Sequence, residues 1–134
     1  MRESLLRNKF GMFQGTVNRV PAWSNGFIME IGIDNPFRRL KKVDWKERPD
    51  LQTVYDKYNE ALPGAEVVIL TKEEDELVYL TTQARSYYIQ KPYYDYFRQR
   101  YPKAEFLVSV GVIFVHSNNL VVGLIMPCYK KEEK

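Results

Sequence analysis

Two apolar runs near the end of the chain constrain the fold most. Leu107–Val115, broken only by Ser109, and Leu120–Met126 are almost continuously hydrophobic, and His116-Ser117-Asn118-Asn119 separates them. Strands that read as unbroken apolar runs, rather than alternating ones, are covered on both faces. Asparagine tolerates the left-handed backbone of a tight hairpin turn. The two runs therefore predict a buried central hairpin, which needs further elements above and below it. Neither run is long enough to cross a bilayer as a helix.

The rest of the chain offers those elements. Phe10–Val17 (FGMFQGTV) reads as a strand, Pro21–Gly26 (PAWSNG) as a turn, and Phe27–Ile33 (FIMEIGI) as a second strand stopped by Asp34-Asn35-Pro36. Leu51, Val54, Tyr55, Tyr58 and Leu62 share one helical face. That helix is expected to start near Pro49 and to end at Pro63-Gly64. Val67–Leu70 and Leu77–Leu80 flank the charged segment Lys72–Glu76, a hairpin pattern. Tyr93, Phe97 and Tyr101 recur at helical spacing, with Pro92 suited to a first turn and Pro102 closing the segment. The expected order is ββ-α-ββ-α-ββ, an antiparallel sheet with two helices packed on it. With 134 residues, 45% of them hydrophobic, this is one α+β domain over residues 1–134, with a flexible polar tail at about 128–134.

Many chemistries have no residues to support them. Walker A, GxGxxG, GxSxG and HExxH patterns are absent. One His and one Cys cannot build a typical zinc site. His116 falls at a turn and reads as an exposed polar residue, and Cys128 reads as an unreactive thiol. A single cysteine also fits a reducing compartment, and Met1–Phe10 lacks the apolar core of a signal peptide. The expectation is a cytoplasmic protein that requires no membrane and no cofactor. Carboxylates remain. Glu30 is the only charge in FIMEIGI, and Asp34 lies on the same side of an extended strand. Such a pair supports an alternative reading, a divalent-metal-dependent, hydrolase-like enzyme using Glu30 and Asp34. The simpler reading turns Glu30 to solvent, with Met29 and Ile31 facing inward.

Charge is unevenly distributed. Net charge is only +3, but Phe37–Pro49 and Arg85–Lys103 each carry a local excess of +4, and Asp50–Glu76 between them carries −6. The second basic segment is also aromatic: Tyr87–Lys103 (YYIQKPYYDYFRQRYPK) holds six of the ten tyrosines. Aromatic faces stack on bases and guanidinium groups hold phosphates; tyrosine also favours protein interfaces. Tyr93, Phe97 and Tyr101 suit the buried face of a helix. That leaves Tyr94 and Tyr96 to stack, and Arg38, Arg39, Lys41, Lys42, Arg98 and Arg100 to contact charge. The leading reading is a small non-enzymatic binding protein whose partner is a nucleotide, a nucleic acid or an acidic protein surface. Small size and aromatic richness also suit a phage or mobile-element protein that intercepts a host partner. A third reading is homo-oligomerisation through edge strands and exposed tyrosines, with no ligand.

Ser109–Ile125 (SVGVIFVHSNNLVVGLI) resembles the opening hairpin of Nudix hydrolases, and YYDYFRQRYP resembles the helical lead-in of family members with an N-terminal extension. The resemblance spans about residues 81–126. The family's catalytic box, a Gly followed by a glutamate-rich REUxEE helix, should follow Met126. PCYKKEEK stands there instead, and Glu132 and Glu133 cannot supply that helix. The resemblance thus implies a truncated or divergent relative that binds a nucleotide-like ligand, and it transfers no catalytic residue.

Overall fold

The computed structural model describes residues 11–36 and 43–128. Four strands come first: β1 (Met12–Val17), β2 (Val20–Ser24), β3 (Ile28–Ile31) and the short β4 (Trp45–Lys46). Helix α1 (Leu51–Asn59) and a 3-10 turn at Leu62–Gly64 lead to β5 (Glu66–Glu73), β6 (Leu77–Thr81) and β7 (Ser86–Gln90). Helix α2 (Lys91–Arg100) then precedes β8 (Glu105–Ser109), β9 (Val112–Ser117) and β10 (Leu120–Ile125). The fold is α+β: one mixed sheet of ten strands in the order β4-β1-β2-β3-β10-β9-β8-β5-β6-β7. Among the described residues only the β1–β4 pair is parallel.

This order adds four strands to three hairpins joined by two helices: the short β4, paired with β1, and three more that have local reasons. The expected turn at PAWSNG is mostly strand β2, which pairs with both β1 and β3. Pro21 is accommodated because it is the second residue of that strand, and its carbonyl still accepts from Gly32 N at 2.7 Å. Ser86–Gln90 forms an additional strand, β7, against β6. The apolar run Leu107–Val115 is two strands, not one, because Val110 and Gly111 turn the chain with φ of +45° and +75°. Asn18-Arg19 (+52°, +66°) and Asn118-Asn119 (+53°, +64°) use the same solution. Two left-handed central residues match the twist of the strands they join.

The central hairpin lies mid-sheet as expected, with the first four residues of β9 buried. Helix α1 begins at Leu51, where the Asp50 carboxylate accepts from Gln52 N at 2.9 Å. Its Leu51 and Tyr55 cover one face of the sheet, over Val17, Ala22, Met29, Phe114 and Leu124. Helix α2 covers the other face with Tyr93, Tyr94, Tyr96 and Phe97, all buried. At 100° per residue these four side chains span about 160° of the helix surface. A flat sheet could not bury so wide an arc. The sheet curls: beyond β10, Cys128 bridges back to Tyr88 of β7, the far edge strand. The run β10-β9-β8-β5-β6-β7 thereby closes around α2.

Candidate functional site: a slot beside Arg98

Helix α2 is seated by one glycine and one carboxylate. Trp23, Glu30, Gly123, Val115, Phe106 and Val68 stand side by side across the strands. Gly123 leaves a notch that the Phe97 ring fills; a Cβ there would lie 2.6 Å from Phe97 Cζ. This contact sets the helix so that its last turn reaches Glu30. Glu30 Oε1 accepts from Trp23 Nε1 at 2.9 Å and from the Tyr96 hydroxyl at 2.5 Å. Glu30 Oε2 accepts from Arg100 Nε at 2.8 Å and from the Tyr101 hydroxyl at 2.6 Å. The side chain is 0% exposed, so it does not face solvent as strand alternation suggested. A buried carboxylate is tolerated when it is paired and its lone pairs are filled, and four donors fill them here. Burial, followed by the nearby Glu30 charge, pushes the Tyr96 hydroxyl pKa far above its ordinary value; burial and the hydrogen bond to Glu30 do the same for Tyr101. Both hydroxyls stay protonated and act as fixed donors.

The opposite side of α2 borders an opening in the sheet wall. Strand β5 changes neighbours along its length. Glu66–Val68 pair with β8, and Ile69–Glu73 pair with β6 across a bulge between Leu70 and Lys72. Strand β8 starts only at Glu105, because the chain arrives there from α2 through Pro102–Ala104. A slot of about 350 Å³ therefore opens between Ile69-Leu70 and Ala104-Glu105, with Leu80, Tyr94 and Phe106 beneath it. The Tyr94 and Phe106 rings lie 5.2 Å apart, tilted by 31°. Arg98 crosses both, its Cζ 5.5 Å from the Tyr94 centroid and 4.7 Å from that of Phe106. Its Nη1 donates to the carbonyls of Pro102 at 3.2 Å and Ala104 at 3.0 Å. Those bonds fix the guanidinium over the rings. The Nη2 and Nε donors make no hydrogen bond to the described residues. A preoriented cation on an aromatic floor can hold an anionic group without first ordering a long side chain.

The residues singled out in the sequence thus fall into separate places. Tyr94 and Arg98 meet in the slot. Tyr96 and Arg100 belong to the internal Glu30 network, because the curled sheet buries the helix face that a flat one would leave free. Arg38, Arg39, Lys41 and Lys42 lie outside the described residues. Asp34 is exposed, and its backbone carbonyl accepts from Gln14 Nε2 at 2.8 Å. Glu30 is already committed to four protein donors, and among the described residues no three His, Cys, Asp or Glu side chains gather as metal ligands. His116 is half-buried on β9, opposite Glu105 and Val121. Cys128 is half-buried, its Sγ donates to Tyr88 O at 3.4 Å, and burial raises its pKa, which disfavours the reactive thiolate. Phe106 and the Ile69-Leu70 rim were not foreseen. They line the slot only because β5 and β8 part company, a long-range event with no local sequence signal.

No described helix is long and apolar enough to cross a membrane. No protein family, curated protein or solved structure matches the chain.

Proposed function

We propose that the protein acts by binding rather than by catalysis, and that it takes an anionic group of its ligand at Arg98 in the slot between β5 and β8. One observation carries this reading: the guanidinium is held across Tyr94 and Phe106 by two carbonyls while its Nη2 and Nε make no hydrogen bond to the described residues. Charged hydrogen bonds to such a fork are short and about twice as strong as neutral ones. A nucleotide, as the Nudix resemblance implies, a nucleic acid and an acidic protein segment all present suitable groups. The single cysteine favours a cytoplasmic setting for this activity. Arg100 and Tyr96 serve the site indirectly by locking α2, so their loss is read as a change in stability.

Calorimetric titration tests the proposal. The probes are ATP, a 20-nucleotide oligothymidylate and an end-blocked hexapeptide, TVFDVT. Arg98→Gln removes the charge and the guanidinium fork but keeps a polar amide, and the melting temperature of the variant reports whether the fold is preserved. The expected result is that at least one probe binds at low salt, weakens as salt rises, and loses tenfold or more in affinity with Arg98→Gln at an unchanged melting temperature. Binding that ignores Arg98→Gln, or no binding of any probe, rejects the proposal.

A further inference from the structure

The slot is bounded by backbone as much as by side chains, which narrows the kind of ligand. Ile69–Glu73 have β6 along one edge and no strand along the other among the described residues. An open strand edge presents unpaired N–H and C=O groups and accepts an added strand. The side chains beside it are apolar and outward: Ile69 is 66% exposed and Val67 53%. At about 350 Å³ the slot lies at the small end of ligand pockets, with space for a side chain or two. An added strand alternates its side chains between the two faces of the sheet. Its inward residues would meet Leu80, Tyr94 and Phe106, and its outward residues would meet Ile69.

Charge separates ligand classes further. Among the described residues Arg98 is the only cation lining the slot, with Glu105 on its rim, and the β5–β6 tip carries Glu73, Glu74, Asp75 and Glu76 against Lys72 and the neighbouring Lys91, which lies 3.8 Å from Glu73 and 3.2 Å from Asp95. A phosphate chain would set many negative charges against these acids. A segment with one carboxylate and apolar neighbours would not. Building on the anion-binding reading, we infer that the natural ligand is an extended segment of a partner protein, added as a strand along Ile69–Glu73, with an aromatic or β-branched residue in the slot and an adjacent Asp or Glu on Arg98. The bulge between Leu70 and Lys72 keeps the pairing short, so the segment binds reversibly.

A displayed library of random linear 12-residue peptides, selected on the full chain, tests this inference. Enriched peptides should share an aromatic or β-branched residue next to one Asp or Glu. On binding they should slow hydrogen exchange of β5 amides within Ile69–Glu73. N-methylation of alternate peptide nitrogens should weaken binding at least tenfold in one register and leave the other unchanged, because only one set of N–H groups faces β5. Arg98→Gln should cost tenfold or more. Strand addition is overturned if no peptide is enriched, if protection falls elsewhere, or if neither methylated register weakens binding. Should ATP or oligothymidylate bind through Arg98 while no peptide does, the anion-binding reading survives and the strand inference alone falls. Failure of every probe removes both.

Discussion

Replacing Glu30 by glutamine should unlock α2 from the sheet, and the structure sets the size of the effect. The carboxylate accepts four hydrogen bonds, two at each oxygen. In Glu30→Gln the amide oxygen can still serve Trp23 and Tyr96. The amide nitrogen then faces Tyr101, whose hydroxyl can rotate to accept, and Arg100 Nε, which cannot. A hydrogen bond to a charged group contributes roughly 1.5–3 kcal/mol against about 1 for a neutral one. Breaking a buried ion pair costs about 3–5 kcal/mol, but the Arg100 side chain is 35% exposed and water recovers part of that. The expected loss is about 3 kcal/mol, a fall in melting temperature of roughly 10 °C for a domain of this size. Urea unfolding followed by tryptophan fluorescence measures it directly, since Trp23 donates to the same carboxylate. Arg100→Ala should cost less than Glu30→Gln, because the arginine end of the pair reaches water. A Glu30→Gln protein within about 1 kcal/mol of wild type would refute the claim that this carboxylate seats the helix.

Two other outcomes follow from the same geometry. Tyr96 and Tyr101 have folded pKa values raised above their ordinary value near 10. The stability tied to their protonated state is complete below pH about 10 and is lost as pH rises beyond it. Absorbance at 295 nm should therefore show tyrosines that ionise only as the protein unfolds in alkali, and Tyr96→Phe with Tyr101→Phe should flatten that loss. At the β8–β9 turn, Val110 sits at φ +45° and the residue is 71% exposed. A left-handed backbone costs an L-residue about 1–2 kcal/mol, and least for asparagine. Val110→Asn should raise stability by about 1 kcal/mol in urea unfolding, and no gain would mean that the turn is unstrained.

How far the sequence could be read depended on whether the deciding contacts were local. The buried hairpin was legible because β9 and β10 lack alternation, and Asn118-Asn119 announce their turn. The end of β8 was hidden because its left-handed turn begins with a valine, which gives no signal for positive φ. Pro21 disguised β2 as a turn. The core role of Tyr93, Phe97 and Tyr101 was visible in their spacing. That of Tyr94 and Tyr96 was not, because it depends on sheet curvature closed by Cys128 against Tyr88. Glu30 looked like a surface charge, since its donors Tyr96, Arg100 and Tyr101 arrive from about seventy residues away. Of the expected binding residues, Tyr94 and Arg98 come together in the slot. Their partners there, Ile69, Leu70 and Phe106, are supplied by the sheet order.

The Arg98 donors that make no hydrogen bond to the described residues can be observed individually. The side-chain Nε–Hε signal of Arg98, assigned by its loss in Arg98→Gln, should shift progressively as the TVFDVT peptide, ATP or oligothymidylate is added at low salt. Backbone amides of Leu70 and Phe106 should move with the same binding curve, and high salt should reverse all three. If the Arg98 signal stays fixed while the bound probe perturbs another region, or if none of the three probes perturbs the spectrum, the slot is not the binding site.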